Sequence, residues 1–385
     1  MKKENKMSNQ TLLNKMKPFI EENWAKQGFQ KPTTIQDKAI PEILDGKDII
    51  AESPTGTGKT LAYLLPVLNK INAESKAMQA VILASSQELV MQILAEVQKW
   101  GENSGVRSAS FIGGANVKSQ LEKLKKNPHL AICTPGRALE LIKQKKLKMH
   151  EVRTIVLDEA DQLLVPEHIE YVRQIIKATQ KEERQVVMFS ATLTDRTEAL
   201  GKELLLDPAV IRVKKDTTIE AADVQHIYFQ AEHRDKIKLM EKISRLENAK
   251  VLVFIKDIGN LDVLHEKLAF KEIKTSKLHS DLNKMDRQKY TRLFRSGKTS
   301  MLLATDVAAR GLDIQNITHV VHFDFAKDKT QYIHRSGRTG RFGKEGTVIS
   351  LVTEREEREL KQMLKELKLP LKRKVFYQGE ITDVQ

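Results

Sequence analysis

Short runs of apolar residues alternate along the chain with longer stretches of mixed apolar and polar residues. In the first half these runs include residues 48–51, 80–84, 154–157 and 185–189, each followed by a helical spacing of apolar positions. Continuous apolar runs of this length are typical of strands that are covered on both faces, as in parallel sheets. The alternation therefore predicts βαβ units, in which a helix leads from each strand to the next.

The pattern stops at residues 213–223, a polar segment that contains Lys214-Lys215-Asp216-Thr217-Thr218. We interpret this segment as a linker between a first domain, residues 1–212, and a second domain, residues 224–385. The second series of apolar runs lies at residues 251–255, 301–304, 319–322 and 346–351, and an amphipathic helix is predicted at 354–369. The predicted fold class is α/β, with two tandem domains that each hold a mostly parallel sheet flanked by helices.

Length and composition agree with two domains. The 385 residues exceed what one compact core usually holds, and the chain is 40% hydrophobic but only 5% aromatic. The single cysteine, Cys133, lies in an apolar run, so it predicts a buried structural thiol and excludes an internal disulfide. The polar N-terminus does not resemble a secretory signal, and no apolar run approaches the roughly 18 residues of a membrane span. We therefore expect a reducing, cytoplasmic location.

The formal net charge is +14, from 65 Lys and Arg against 51 Asp and Glu. Such a surplus favours a polyanionic partner, nucleic acid above all, although a solvated basic surface gives the same balance. The basic segment Lys372-Arg373-Lys374 leaves the same two interpretations open, a solvated chain end or an RNA contact.

The segment Ser53-Pro54-Thr55-Gly56-Thr57-Gly58-Lys59-Thr60 follows an apolar run and precedes an apolar helix. Glycines allow backbone N–H groups to turn inward around phosphate oxygens, and the helix N-terminus adds a favourable dipole. Lys59 can reach the β and γ phosphates of a nucleotide, and the Thr60 hydroxyl can bind Mg²⁺. The strict pattern has Gly where Ser53 stands, a small departure, so the segment predicts a phosphate-binding loop.

The second motif is acidic: Asp158-Glu159-Ala160-Asp161 follows the apolar run 154–157. An Asp at such a strand end can hold Mg²⁺ through water, and an adjacent Glu can accept a proton from an attacking water. Alone, this pattern is also typical of a polar loop or helix cap. A phosphate loop earlier in the chain favours the catalytic interpretation.

Three arginines lie close together in His334-Arg335-Ser336-Gly337-Arg338-Thr339-Gly340-Arg341. Arginine suits bidentate phosphate contacts and the charge of a phosphoryl-transfer transition state. If this cluster and the phosphate loop serve one ATP, the nucleotide lies between the domains. Arg338 and Arg341 are then candidate arginine fingers, while a nonspecific basic patch is the alternative.

These motifs, in this order, resemble those of the DEAD-box RNA helicases of superfamily two, from about Gly28 to Leu351. The resemblance implies two tandem RecA-like domains, ATP and Mg²⁺ as cofactors, and RNA as partner. It assigns Phe29 and Gln36 to the motif that recognises adenine. Ser190 and Thr192 fall in the motif that couples hydrolysis to strand opening.

The resemblance also assigns residues in the second half. Gly311 and Asp313 contact the nucleotide, and His334 helps to couple the domains.

The resemblance further implies that RNA is contacted mainly through its sugar–phosphate backbone, which explains binding without sequence preference. The implied RNA contacts are Gly113, Gly114, Thr134, Pro135, Gly136, Arg137, Arg287 and Thr305.

This chain departs from the family pattern at several places. The family's Pro-Thr-Arg-Glu-Leu is replaced by Ser85-Ser86-Gln87-Glu88-Leu89, so Gln87 lacks a charge and weakens one RNA contact. Lys284 replaces a glutamine before Arg287 and keeps a group that contacts phosphate. The aromatic residue that stacks on adenine in the family falls near Thr11, where this chain has none.

The resemblance predicts an RNA helicase whose RNA-stimulated ATP hydrolysis drives local unwinding of short duplexes or remodelling of RNA–protein particles. One alternative is an ATP-gated RNA clamp or annealing scaffold that does not unwind productively, and another is a DNA helicase. We take a monomer as the default state, and by analogy with the family we expect it to act on ribosomal precursor particles in ribosome assembly.

Overall fold

A computed structural model describes residues 15–54, 56–213, 224–309, 314, 316–340 and 345–384, except for the side chain of Lys284. The chain separates into two compact units, residues 1–219 and 220–385. Within the described residues no helix is both long and apolar enough to cross a membrane.

The first unit is built on a parallel sheet with strand order β3-β4-β2-β5-β6-β1-β7. Its strands are β1 Ile49–Glu52, β2 Ala80–Leu83, β3 Ser108–Phe111, β4 Leu130–Cys133, β5 Thr154–Leu157, β6 Gln185–Ser190 and β7 Ala209–Arg212. Its described helices are α1 Pro18–Lys26, α2 Thr34–Leu44, α3 Lys59–Lys70, α4 Gln87–Trp100, α5 Val117–Lys125, α6 Pro135–Lys143, α7 Ala160–Leu163, α8 Ile169–Lys177 and α9 Asp195–Leu204. The parallel arrangement predicted from the apolar runs is confirmed.

Both faces of this sheet are buried, which explains why its strands are continuously apolar. Successive strand residues point to opposite faces, so Val156 joins one apolar cluster while Ile155 and Leu157 join the other. The buried side chain of Cys133 packs in the second cluster, and desolvation raises the pKa of its thiol far above the usual range. The prediction of a buried structural thiol is confirmed.

The second unit has the strand order β10-β11-β9-β12-β13-β8-β14-β15. Its strands are β8 Val224–Gln230, β9 Val251–Phe254, β10 Thr275–Leu278, β11 Met301–Ala304, β12 His319–His322, β13 Gly346–Val352, β14 Lys372–Tyr377 and β15 Glu380–Asp383. Its described helices are α10 His233–Ser244, α11 Ile258–Phe270, α12 Lys284–Arg295, α13 Asp306–Ala309, α14 Lys329–Ser336 and α15 Glu354–Leu367. All the pairs are parallel except β14 with β15, so the mostly parallel sheet is confirmed.

The end of the described chain differs from its sequence interpretation. Residues 372–374 begin β14, which pairs with β8 at Lys372 and Arg373 and then forms an antiparallel hairpin with β15. Phe376 anchors the hairpin by stacking on Phe229 with 5.1 Å between ring centroids. The basic segment is therefore part of the sheet, which neither sequence interpretation anticipated. The preceding helix ends at Leu367 rather than residue 369, because Lys368 adopts the left-handed conformation of a helix cap.

Candidate nucleotide and RNA sites

The carboxyl ends of three neighbouring strands, β5, β6 and β1, bring three predicted motifs together. The phosphate loop follows β1, Asp158 and Glu159 follow β5, and Ser190 ends β6. Ligands of open α/β sheets bind outside the carboxyl ends of the strands. This edge is therefore the candidate nucleotide site of the first unit.

Hydrogen bonds within the phosphate loop fix its shape. Ser53 Oγ and Thr57 Oγ1 lie 2.6 Å apart, and the Thr57 hydroxyl donates to the Pro54 carbonyl at 2.7 Å. Lys59 Nζ donates to the carbonyls of Ser53 and Pro54 at 2.6 and 2.9 Å. The ammonium group thus lies against the loop itself, where phosphate oxygens can take the place of the two carbonyls. Thr55 lies outside the described residues.

Two glycines of the loop have backbone conformations that other residues rarely adopt. Gly56 and Gly58 have φ angles of +83° and +86°, in the left-handed region. A Cβ atom on Gly58 would also lie only 2.5 Å from Gln36 Nε2. The left-handed φ angles therefore require glycine at both positions, whereas the Gln36 amide is the end of a flexible side chain that could move aside.

The side chain of Gln36 joins α2 to the phosphate loop. Its Oε1 accepts from the backbone N–H of Thr33 at 3.0 Å, and its Nε2 donates to the Gly58 carbonyl at 3.2 Å. An amide side chain has two donor hydrogens and two acceptor lone pairs. Among the described residues, hydrogen-bond partners thus account for one donor hydrogen and one acceptor lone pair of Gln36, and its contact with an adenine edge stays a prediction.

Phe29 packs in an aromatic cluster rather than standing alone. Its ring stacks on Trp100 with 6.1 Å between centroids and meets Trp24 edge-on at 5.2 Å. The side chain is still 45% exposed. The cluster fixes the position of Phe29 and leaves part of the ring accessible.

Asp158 is a buried carboxylate held by two donors. Tyr63 donates its hydroxyl to Oδ2 at 2.8 Å, and the backbone N–H of Glu159 donates to Oδ1 at 2.9 Å. Desolvation, with the nearby charge of Glu159, raises the pKa of Asp158 from 3.8 to about 6. Tyr63 was not singled out from the sequence, because nothing local to residue 63 indicates a partner 95 positions away.

The donor set at Asp158 fits a magnesium ion. Thr60 lies three residues before Tyr63 in α3, and so on the same side of the helix as the Tyr63 hydroxyl that donates to Asp158. Mg²⁺ prefers hard oxygen ligands and commonly uses one or two protein oxygens with phosphates and waters. Among the described residues, no cluster of three or more His, Cys, Asp or Glu is placed to hold a metal ion.

Glu159 has a backbone conformation that is rare for a residue with a side chain. Its φ and ψ angles of 52° and 51° are left-handed, and conformations of this kind concentrate at functional sites. The turn directs Asp158 toward Tyr63, while the Glu159 carboxylate accepts a hydrogen bond from the Ser85 hydroxyl at 3.0 Å. The two neighbouring acids thus have different surroundings, one buried and one partly open.

Ser190 connects the end of β6 to the acidic motif. Its hydroxyl lies 2.5 Å from Asp161 Oδ1 and 2.7 Å from the Thr192 carbonyl. The backbone N–H of Thr192 donates back to Ser190 Oγ at 3.3 Å. The two motifs that the resemblance places in hydrolysis and in coupling are therefore in direct contact.

The other half of this edge, after β3, β4 and β2, carries the candidate RNA residues of the first unit. The backbone N–H of Gly113 donates to the Thr134 hydroxyl at 3.2 Å, which joins two of the implied contact loops. Gly114, with φ of +69°, lies close to the Gln87 side chain. Pro135 and Gly136 begin α6, with Gly136 beside the half-exposed ring of Tyr171.

Arg137, another of the predicted RNA contacts, is a largely buried arginine. The side chain is only 8% exposed, and its Nε lies 3.0 Å from Glu140 Oε2, one helical turn away. Glu140 is 42% exposed, and among the described residues the Arg137 Nε and Nη1 atoms are buried without a hydrogen-bond partner. A direct contact of Arg137 with RNA stays a prediction.

In the second unit, the arginine cluster is joined to the motif after β11. Arg335 is 2% exposed and donates from Nε and Nη2 to the two oxygens of Asp306, both at 2.7 Å. A third bond runs from its Nη1 to the Asp324 carbonyl. Arg335 is therefore structural, and the finger roles of Arg338 and Arg341 stay predictions.

The other predicted residues of this unit that the structure describes lie near α13 and the end of α14. Arg338 Nε donates to the His334 carbonyl at 3.3 Å, and Arg287 Nη2 donates to the Ala308 carbonyl at 3.1 Å. Thr305, 8% exposed, immediately precedes α13. Gly311, Asp313 and Arg341 lie outside the described residues, as do the position Thr11 and the predicted linker after residue 213.

Comparison with known proteins agrees with this geometry. The DEAD/DEAH box helicase domain matches residues 33–200, and the helicase conserved C-terminal domain matches residues 235–343. The chain is 55% identical over 369 residues to the probable ATP-dependent RNA helicase YfmL of Bacillus subtilis, covering 96% of this chain and 97% of that protein. It is 47% identical over 374 residues to the DEAD-box ATP-dependent RNA helicase CshC of Bacillus cereus, covering 97% and 95%.

Solved structures give the same result. Dbp5 of S. cerevisiae bound to RNA and ADP BeF3 matches with a TM-score of 0.85 and 29% identity, covering 93% of each chain. Mss116p bound to ssRNA and AMP-PNP matches with a TM-score of 0.83 and 26% identity, covering 98% of this chain and 81% of that one.

Two RecA-like units, one with a phosphate loop beside an acidic strand end, define a nucleotide-hydrolysing helicase core. With the relatives above, the chain belongs to the DEAD-box family of ATP-dependent RNA helicases.

Proposed function

We propose that this helicase couples RNA-stimulated ATP hydrolysis to local unwinding of short RNA duplexes or to remodelling of RNA–protein particles. The arrangement of the first sheet supports this most: one carboxyl edge carries the phosphate loop and acids on one half and the candidate RNA loops on the other. A nucleotide on one half would therefore lie beside the candidate RNA residues, and RNA on the other half would lie beside the residues that bind the nucleotide.

In this proposal the residues of the first unit divide the work of hydrolysis. Lys59 neutralises the β and γ phosphates, while Thr60 and Asp158 hold Mg²⁺, partly through water. The ion, when bound, offsets the negative charge of the phosphates. Glu159 accepts the proton of the attacking water as the new oxygen–γ-phosphorus bond forms and the bond to the β-phosphate oxygen breaks.

The second unit would supply charge and coupling. By resemblance, Arg338 and Arg341 act as arginine fingers on the γ-phosphate, Gly311 and Asp313 contact the nucleotide, and His334 takes part in coupling. Arginine fingers of this kind contribute roughly 10³-fold or more to rate. The bonds between Arg335 and Asp306 support the proposal because they fix the end of α14 at Arg335, three residues before Arg338.

RNA would be held through its backbone by Gly113, Gly114, Thr134, Pro135, Gly136 and Arg137 of the first unit and by Arg287 and Thr305 of the second. Contacts to 2′-hydroxyl groups would then give the preference for RNA over DNA. Because ATP and RNA both stabilise one arrangement, each raises the affinity for the other.

The proposal is tested by measuring the ATPase rate with and without RNA for the wild type, Glu159→Gln and the control Glu102→Gln, an exposed acid. We expect RNA to stimulate the wild type and the control. Glu159→Gln should still bind a fluorescent ATP analogue but lose about 10²-fold or more in turnover. No RNA stimulation, equal stimulation by DNA, or normal turnover by Glu159→Gln would reject the proposal.

An ATP-gated RNA clamp is the second candidate, and the family's hydrolytic residues are compatible with it. Strand separation of a short labelled duplex distinguishes the two, with ATP in one reaction and a non-hydrolysable analogue in the other. Separation and turnover with ATP support the unwinding enzyme, whereas stable RNA retention without separation supports the clamp. We further propose a cytoplasmic monomer that acts on ribosomal precursor particles, to be checked by sequencing the RNAs crosslinked to it in cells.

A further inference from the structure

The turn Ser85-Ser86-Gln87 lies between the two halves of the first sheet's carboxyl edge. It follows β2, which pairs with β4 on one side and with β5 on the other. The candidate RNA segment 134–136 follows β4, and the catalytic acids follow β5. The turn can therefore contact both the candidate RNA segment and the catalytic acids.

Each residue of this turn makes a different contact. The Ser85 hydroxyl donates to Glu159 Oε2 at 3.0 Å. Ser86 Oγ accepts from the backbone N–H of Leu89 at 3.1 Å and so caps α4. The Gln87 side chain lies next to Gly114 on the RNA side. Because this cap holds the backbone of the turn in place, the Ser85 hydroxyl keeps a fixed position relative to Glu159.

The contact with Glu159 depends on the residue type at position 85. The corresponding family pattern has proline where this chain has Ser85, and proline has no side-chain donor. Among the described residues, Ser85 is the side chain that donates to the Glu159 carboxylate. A hydrogen bond to an ionised group is roughly twice as strong as a neutral one and restricts the rotamers of the long acidic side chain.

We propose that Ser85 is a positioning residue that holds the Glu159 carboxylate in the orientation used for proton abstraction. The inference rests on the proposed role of Glu159 as the general base. Ser85 acts on the reacting water only through Glu159. Its removal therefore lowers the rate of the chemical step and leaves ATP affinity unchanged, since Ser85 has no role at the phosphate loop.

The experiment compares Ser85→Ala, Ser85→Thr and the control Ser104→Ala by steady-state ATPase kinetics at saturating RNA. Ser104 also carries a hydrogen-bonded hydroxyl, but in the loop before β3, at the opposite edge of the sheet. We expect Ser85→Ala to lower kcat about 3- to 10-fold with KM for ATP unchanged. Ser85→Thr, which keeps a hydroxyl, and Ser104→Ala should stay within twofold, about the limit of such measurements.

A double variant separates positioning from a general structural effect. On the Glu159→Gln background, Ser85→Ala should cause no further loss, because residues that act as a unit are not additive. An unchanged or higher kcat in Ser85→Ala, an equal loss in Ser85→Thr, or an independent loss on the Glu159→Gln background would overturn the inference. Wild-type turnover by Glu159→Gln alone would instead reject the proposed base, and the Ser85 inference with it.

Discussion

The two halves of the first sheet's carboxyl edge are built in different ways. The nucleotide half, after β5, β6 and β1, is a network of side chains in which Tyr63, Ser85 and Ser190 each donate to an acid of the Asp158–Asp161 motif. The RNA half, after β3, β4 and β2, presents backbone groups and small residues, with Gly113 bonded to the Thr134 hydroxyl.

The difference follows from the ligands that we propose for each half. Transfer of a phosphoryl group requires charged groups at fixed positions. Neighbouring side chains therefore orient the acids, even where burial disfavours their charged form. A nucleic-acid backbone read without sequence preference needs only repeated hydrogen-bonding groups. Substitutions in the nucleotide half should therefore change the rate of ATP hydrolysis, and substitutions in the RNA half should change the affinity for RNA.

The largest effect is expected at Asp158. Asp158→Asn should lower ATP turnover about 10²- to 10³-fold, the usual loss when a fixed electrostatic group is removed. The same change should stabilise the fold at pH 8. Asp158 has a folded-state pKa raised to about 6 from 3.8, so its stabilising contribution is present below pH 3.8 and lost as pH rises through 6.

Thermal melting across pH checks this sign. At pH 8 the variant should be more stable by on the order of 2–3 kcal/mol, and the gain should disappear toward pH 4. If Asp158→Asn lowers stability at pH 8, the carboxylate is not the unfavourable buried charge that the comparison requires.

A smaller effect is expected on the RNA half. Thr134→Val removes the acceptor of the Gly113 N–H and should weaken RNA binding about 5- to 10-fold, as for one lost hydrogen bond and an unsatisfied donor. Turnover at saturating RNA should stay near the wild-type value. Fluorescence titration with several single-stranded sequences gives the affinities, and a loss confined to one sequence would contradict a backbone-reading site.

The smallest effect is expected at Tyr63. Its hydroxyl stays protonated because burial and Asp158 raise its pKa, and its hydrogen bond lowers the pKa of Asp158. Tyr63→Phe should move the acidic limb of kcat/KM to higher pH and lower activity about 3-fold near pH 6.5. Activity near pH 8.5 should change little; an equal loss at both pH values would show that Tyr63 acts by packing alone.

Much of the fold was predictable, because buried parallel strands are continuously apolar and the motifs occur at their ends. The strand β10, Thr275–Leu278, was missed because three of its four residues are polar or charged, although Ser276 is fully buried and bonded to Thr299. The hairpin β14–β15 was missed for a similar reason. Its basic residues suggest a solvated end, whereas Phe376 on Phe229 decides its position.

The site was predictable where a local pattern carries the chemistry, as in the phosphate loop and the acidic strand end. It was not predictable where a single atom meets a partner far along the chain. The hydroxyls of Tyr63 and Ser85 reach acids 95 and 74 positions away, and only the order of the strands brings them together. The burial of Arg137 was not anticipated either, because an arginine among the candidate RNA contacts was expected at the surface.

The buried thiol of Cys133 has a practical consequence for measuring domain motion. It is the only cysteine of the sequence, and its 0% exposure and strongly raised pKa make it unreactive toward maleimide dyes. Cysteines introduced at exposed positions, one in each unit, can therefore be labelled selectively without first removing a native residue. Single-molecule energy transfer between the two dyes would then follow the distance between the units directly as ATP and RNA are added.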